Sequence, residues 1–322
     1  MTMNNHEIAA QVAQVRLLVA GSINHDLFIN VDSIPSDDGA AEIRSFSRGF
    51  GGHGANCAVA VARLGANACL LGVVGDDHHG RELCKDMEIN LVNTSGIHID
   101  PRQPTGSVLI PSSPTARYML MHRGANDAEF DWQTTLSERD PAEFNAVVVM
   151  DPGQNLVDAI LAWLAGRSSP RLVWAPGGLF ACFERFSSIS RMANTIILNR
   201  REYEATFGKP LAPSANQASG FDGDLVVTLG SRGAMLIGAS GTRTFCPAFE
   251  VDAIDETGAG DAFIAAYAVA LAIDQFSNLD RLRIANMLGG LTTTGIGART
   301  GHHSFASLVT SDLRPKELAD LE

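Results

Sequence analysis

The segment DETGAGDAFIAAYAVALAI sets three small residues, Gly258, Ala259 and Gly260, at the mouth of an apolar helix, with Asp261 in its first turn. Amides in a first helical turn lack intrahelical acceptors, and the helix dipole adds positive potential there, so such an end holds an anion. A carboxylate beside an anion hole has a use if it takes the proton of a hydroxyl that attacks the bound anion. An acidic residue in that place also simply suits the dipole, and the segment alone leaves both readings open. Asn199 and Glu202, in TIILNRREYE, stand three apart where a strand gives way to a helix. They suit a hydrated Mg²⁺ and equally a helix-capping pair. Thr228, Gly230 and Ser231, in VVTLGSRGA, lie at a strand end, where nucleotide phosphates are often met. The chain has no lysine-bearing Walker sequence, which excludes a P-loop kinase.

A second glycine loop, RGFGGHGAN, spells G-x-G-x-x-G through Gly49, Gly51 and Gly54. Asp76, at the end of a later apolar run, stands where a dinucleotide fold keeps its ribose-binding carboxylate. The context fails that reading. The fingerprint needs a buried strand running into its first glycine, whereas here EIRSFSR carries Glu42, Arg44 and Arg48 into the loop. What remains is a loop whose Gly51 and Gly52 let a ligand approach the backbone and whose Asn56, one turn into the next helix, offers a carboxamide. A turn that merely seats the helix is the plain alternative.

The elements that must carry these loops are legible in outline. VRLLVAG (15–21) reads as a strand buried on both faces, 55–65 and 78–90 as helices, and ACLLGVVGD between them as another buried strand. Two alternating pairs, around 27–31 with 41–47 and then 105–110 with 116–121, suggest a small separate sheet. From about 145 onward strands and helices alternate, which implies a parallel sheet covered by helices, and two helices, 258–273 and 278–294, close the chain. The 322 residues are 45% hydrophobic and 19% charged, enough to build a sizeable core. A net charge of -12 argues against a nucleic-acid surface, and an anionic substrate would need a local cationic pocket. Five cysteines without a C-x-x-C pair argue against a disulfide framework or a zinc site. No apolar run is long enough to span a bilayer and no signal peptide is visible, so a soluble cytoplasmic protein without membrane partners is expected.

Taken in order, GSINHD (21–26), GGHGANCAVAVARLGA (51–66), GDDHHG (75–80), PTGSVLI (104–110), GAN (124–126), NRRE (199–202), VVTLGSRGA (226–234) and DETGAGDAF (255–263) resemble the ribokinase-like, or phosphofructokinase-B, carbohydrate kinase family. The resemblance runs from about 15 to 312. It implies one kinase domain over 1–322, a three-layer α/β/α fold with a mostly parallel central sheet, and a small β-sheet lid from about 27–47 and 105–121. It implies transfer of the γ-phosphoryl group of ATP, with Mg²⁺, to a hydroxyl of a free sugar, or alternatively of a nucleoside. In those terms Asp261 is the base and the amides of Gly258, Ala259 and Gly260 form the anion hole. Asn199 and Glu202 organise Mg²⁺ and the phosphates, Glu202 through water, and Thr228, Gly230 and Ser231 lie on the nucleotide side. Asn24, Asp26, Gly52, His53 and Asn56 match acceptor-binding positions. Asp255 matches a position in a loop that holds a monovalent cation in potassium-activated relatives, with 292–304 as the second half of the loop. His302 and His303 fall near the expected adenine pocket, and the lid suggests a homodimer.

Two departures stand out. His53 replaces the usual lysine, and Gly153 stands where a glutamate is expected. The loss of the lysine argues against a phosphorylated acceptor, and the loss of the glutamate makes room for a nucleoside base. Arg117 and Arg123, on the lid, are candidates to contact an acidic sugar or are simply solvated. A non-catalytic ligand-binding relative is the rival reading from another class, and the intact GAGD with Asn199 and Glu202 argues against it.

Overall fold

The computed structural model describes residues 4–178, 180–211, 221–299, 301 and 303–316. The strands are β1 (Arg16–Ala20), β2 (Asn24–Val31), β3 (Ile43–Gly51), β4 (Asn67–Gly75), β5 (Asn93–Asp100), β6 (Gly106–Ser112), β7 (Leu120–His122), β8 (Ala146–Val149), β9 (Arg171–Trp174), β10 (Thr195–Asn199), β11 (Asp224–Thr228), β12 (Ala234–Ile237) and β13 (Arg243–Cys246). The helices are α1 (Asn5–Val12), α2 (His53–Arg63), α3 (His78–Ile89), α4 (Trp132–Ser137), α5 (Gln154–Leu164), α6 (Phe183–Ile189), α7 (Arg200–Phe207), α8 (Ala259–Leu271), α9 (Asn278–Thr292) and α10 (Phe305–Val309).

Nine strands form the central sheet in the order β13-β12-β11-β10-β9-β8-β1-β4-β5. It is parallel from β11 to β5, and β12 and β13 run antiparallel at one edge. The apolar run of β1 explains its central place. Leu17 and Val19 face one core with α2, α8 and α9, while Leu18 and Ala20 face the other with α4, α5 and α7. Alternate side chains of one strand thus feed both layers, the mark of a strand buried on both faces. The fold is a three-layer α/β/α sandwich with a second, smaller sheet.

That smaller sheet has the order β3-β2-β6-β7, in which β2 pairs antiparallel with β3 and parallel with β6. The 105–121 pair is antiparallel as expected, but β7 is shorter than the sequence suggests, and Arg117 joins only by an isolated bridge to Ser112. Five elements escape the sequence reading. The capped helix α1 precedes the first strand, β5 and β13 are the two edge strands of the central sheet, the short α4 precedes β8, and α10 follows the two long helices. No helix among the described residues is long and apolar enough to cross a membrane, and all five cysteines are free.

The order of strand addition reverses between the parallel neighbours β1 and β8, since β1 leads outward to β4 and β5 and the later strands build away on the other side. Ligands of open α/β sheets gather at such a switch point, beyond the carboxyl ends of the strands. The chain leaves β1 there through Gly21 and Ser22, and α2, reached only after β2 and β3, starts in close backbone contact with that turn. A Cβ on Gly54 would come within 2.6 Å of the Gly21 backbone, so only glycine lets the helix start this near the strand.

Candidate active site

Two backbone turns place the site. Gly52 caps α2 with φ of 93°, and a Cβ there would lie 2.4 Å from the Ser22 carbonyl oxygen and 2.7 Å from the Asn24 amide. Gly258 caps α8 with φ of 79°, and a Cβ there would strike the Ala298 backbone at 2.5 Å. Both conformations favour glycine. Together they bring the N-termini of α2 and α8 face to face. Asp261, 5% exposed in the first turn of α8, accepts hydrogen bonds on both oxygens. Asn56 Nδ2 donates to Oδ2 at 2.9 Å and His53 Nδ1 lies 2.7 Å from Oδ1. The Asp261 carboxylate holds the imidazole of His53 above its ordinary pKa, with further help from Asp151 and Glu202, so His53 is a cation and Nδ1 donates. The His53 side chain is still about half exposed, 49%, so solvent screens much of this pairing.

No side chain caps α8. The Ala259 amide donates to the Glu256 carbonyl at 3.3 Å, and those of Gly260 and Asp261 have no side-chain acceptor. Gly260 has open space where a Cβ would stand. A cavity of about 250 Å³ opens beside this helix end, lined by Thr228, Gly230, Ser231, Phe249, Ala259 and Gly260 among others. Its walls are largely apolar with a few polar groups among them, the form of a cofactor pocket. A larger cavity of about 610 Å³ lies between the small sheet and the main body. Asp26, Arg48 and Phe50 line it from the sheet, and Asp255 and Arg299 from the body.

Asp26 is buried and its Oδ1 has no partner among the described residues. Burial pushes its pKa up to about 7 against the pull of the Arg299 and His53 charges. Asn24 Oδ1 accepts from Asn126 Nδ2 at 2.8 Å, which fixes the end of β2 at the site. Asn199 and Glu202 form the reciprocal cap of α7. Asn199 Oδ1 accepts from the Glu202 amide and Glu202 Oε2 from the Asn199 amide, each at 2.9 Å. Burial raises the Glu202 pKa, and the charges of His53 and Asp261 are felt there. The cap uses only Oε2, which leaves Oε1 for a hydrated cation, so the residues fit a water-bound Mg²⁺.

Residues 14–304 match the family model for pfkB family carbohydrate kinases. The chain belongs to the pfkB family of carbohydrate kinases. An ATP-dependent ribose-1-phosphate kinase of Halopiger xanaduensis is 32% identical over 289 residues, covering 89% of this chain and 94% of that protein. A ribokinase of Arabidopsis thaliana, complexed with ribose and ATP, matches the fold with a TM-score of 0.77 at 20% identity, covering 92% of this chain and 99% of the other. A nucleoside kinase of Burkholderia thailandensis, in complex with inosine, gives a TM-score of 0.76 at 21% identity, with 91% and 94% covered. As a pfkB kinase the chain is a phosphotransferase acting on a hydroxyl-bearing substrate.

Within this pfkB kinase some expected residues take other places. Residues 48–56 are the end of β3, a strand of the small sheet, and the start of α2, so the buried parallel strand of a dinucleotide fingerprint is missing there. Asp76 is exposed and pairs with Arg81 at 2.9 Å. His302 lies outside the described residues, and His303 lines a small pocket with Asn56 and Arg299 rather than the cavity beside Thr228. Arg123 is not a free lid cation. It bonds Asp127 Oδ1 at 2.7 Å and the Asp151 carbonyl at 3.0 Å. Gly153 caps α5, and a Cβ there would stand 3.0 Å from the Asn126 carbonyl oxygen.

Asp255 binds its own loop. Oδ1 accepts from the Thr257 amide at 3.0 Å and hydroxyl at 2.6 Å, and Oδ2 accepts from the Gly297 amide at 2.9 Å. Arg117 Nη1 stands 3.7 Å from Oδ1. The Thr293 carbonyl, in the second half of the loop, already accepts the Ile254 and Asp255 amides. A guanidinium thus stands beside the Asp255 carboxylate, where the expectation put a monovalent cation.

Several site residues were invisible in the sequence. Ser22 donates through N and Oγ to Asp151 at 2.9 and 2.8 Å, across the β1–β8 switch point. Arg299 Nε donates to Asn56 Oδ1 at 2.9 Å, and its Nη1 pairs with Asp86. Long sequence separation hides such contacts. The one signal for Arg299 was its place in the glycine-rich stretch GIGARTG.

Proposed function

We propose that this enzyme transfers the γ-phosphoryl group of ATP to a hydroxyl of a sugar acceptor held in the larger cavity, with Asp261 as the general base. The observation that carries the reading is a buried carboxylate in the first turn of a helix whose uncapped amides border one cavity while a second cavity opens nearby. ATP takes the apolar cavity with its phosphates toward Gly258, Ala259 and Gly260, and Thr228, Gly230 and Ser231 border its nucleotide. The acceptor would reach from Asp26, which lines the larger cavity, to Asn24, Gly52 and Asn56 at the start of α2.

In the step itself the acceptor hydroxyl gives its proton to Asp261 as its oxygen bonds to the γ-phosphorus. The bond from that phosphorus to the β,γ-bridging oxygen breaks, and ADP leaves with the electron pair. Each carboxylate oxygen of Asp261 keeps a second lone pair beyond the one used by His53 or Asn56, so the base stays both oriented and available. The helix amides stabilise charge on the transferring group, and the His53 cation adds to that field. Mg²⁺, held through water by Glu202, would neutralise phosphate charge.

The relative that phosphorylates ribose 1-phosphate and the neighbour complexed with ribose and ATP both support a pentose-type acceptor. The neighbour with inosine keeps nucleosides as the second class to test. The exposed Ile43, Phe46, Leu120 and Met121 on the small sheet support pairing of two copies through that sheet. The test is ADP release with Mg-ATP against free sugars, pentose phosphates and nucleosides. Turnover of at least one acceptor, with a phosphorylated product, supports the reading. ATP binding without turnover of any acceptor would favour a ligand sensor on the same fold.

A further inference from the structure

The larger cavity carries a charge pattern at odds with the rest of the molecule. The chain has a net charge of -12, yet four arginines, Arg48, Arg63, Arg117 and Arg299, line this cavity against three aspartates. One of the three, Asp26, has a pKa near 7 and is charged only part of the time at neutral pH. Asp255 is committed to its own loop. The local balance is therefore cationic in a protein whose overall field repels anions.

The arginines are not equivalent. Arg299 is only 10% exposed. Its Nε is spent on Asn56 and its Nη1 on Asp86, while its buried Nη2 has no partner among the described residues. An unpaired guanidinium nitrogen in a protein interior is costly. Arg63, half-buried at the end of α2, donates Nε to Asn90 Oδ1 at 3.1 Å and Nη1 to the Arg299 carbonyl. That leaves its Nη2 uncommitted among the described residues. Two arginines with spare donors thus line one cavity, tied together by the bond from Arg63 to the Arg299 carbonyl. Arg299 is linked to the base through a single intermediary, since Asn56 bonds both Arg299 and Asp261. An acceptor with its hydroxyl at Asp261 would extend its far side toward this pair.

We infer that Arg299 and Arg63 form a binding site for an anionic group of the acceptor, and that the acceptor is a sugar already bearing a phosphate monoester. The inference rests on the proposed kinase reading and sharpens its substrate class. It reverses the expectation drawn from His53. The cation missing from the lysine position is supplied by two arginines, one from the start of the chain and one from near its end. A phosphate monoester suits them because planar guanidinium groups bind its oxygens through paired donors.

The test compares free ribose, ribose 1-phosphate, ribose 5-phosphate and a sugar acid as acceptors, in the wild type and in Arg63→Gln and Arg299→Lys. The expected result is a kcat/KM at least about 100-fold higher for a pentose phosphate than for ribose. Each variant should cut that preference at least tenfold with the KM for ATP unchanged, and inorganic phosphate should compete with the acceptor. A free sugar used as well as its phosphate overturns the inference and leaves the kinase reading intact. So does a sugar acid preferred over both phosphates. Equal losses for charged and uncharged acceptors in both variants reduce the arginines to structural parts and also overturn it. If no acceptor turns over, calorimetry decides. Binding of a pentose phosphate to the wild type but not to Arg63→Gln sustains the anion site while the kinase reading fails, and no binding at all overturns the inference.

Discussion

Asp26→Asn separates what this carboxylate does for the acceptor from what it costs the fold. The side chain is buried, and Oδ1 has no donor among the described residues. Burial raises its pKa from 3.8 to about 7, against the opposing charges of Arg299 and His53 and with the Asp261 carboxylate acting in the same direction. The folded pKa therefore lies above the unfolded one. Between about pH 4 and pH 7 the native state binds more protons than the unfolded chain, so stability falls as pH rises through that window. The difference between 3.8 and about 7 corresponds to about 4 kcal/mol once Asp26 is fully ionised. Asparagine carries no charge at any pH and escapes this penalty. With the usual unfolding entropy per residue for a chain of this length, the variant should melt about 6 °C above wild type at pH 8. The gap should close on acidification and vanish near pH 4. Differential scanning fluorimetry of both proteins from pH 4 to 8.5 reads it directly. The same variant should lose at least about tenfold in kcat/KM for the acceptor, with the KM for ATP unchanged. A melting gap independent of pH, or a variant less stable than wild type at pH 8, would refute the reasoning.

Gly52→Ala should cost about 3 kcal/mol or more, because a Cβ at a φ of 93° would press on the Ser22, Ile23 and Asn24 backbone at 2.4 to 2.8 Å. Chemical denaturation measures it, and a loss under 1 kcal/mol would show that the turn relaxes. His53→Ala should lower kcat at least about tenfold with little change in the KM for ATP, since Asp261 loses a hydrogen-bond donor and the site a cation. Steady-state kinetics would contradict this if kcat stayed within twofold. Exchanging K⁺ for tetramethylammonium should leave turnover within about twofold, because the Arg117 guanidinium already stands 3.7 Å from the Asp255 carboxylate. Strong activation by K⁺ would mean that this loop rearranges during turnover.

What the sequence revealed follows physical rules. Local motifs survive in one dimension, so both glycine turns and the Asp261 helix end were found from residue type and spacing alone. Strands buried on both faces announce themselves as continuous apolar runs, and β1, β4 and β8 were read that way. β5 was missed because an edge strand has one neighbour and mixed burial, which erases both the run and the alternation. α1 was missed because only Ile8 and Val12 of its eight residues are buried. The Asn199–Glu202 spacing allowed a cap or a cation site, and the folded chain makes the cap while leaving one carboxylate oxygen over. The pairs Ser22–Asp151 and Arg63–Arg299 could not be read at all, because nothing local ties residues so far apart.

The most direct test of the central claim is the turnover of Asp261→Asn with Mg-ATP and the best acceptor found for the wild type. Asparagine keeps the size of the side chain and can still bond His53 or Asn56, but it cannot take a proton. Loss of the base should lower kcat by about 10³-fold or more, with the Kd for ATP within about threefold of wild type. A variant that retained kcat within tenfold of wild type would contradict the assignment of Asp261 as the base.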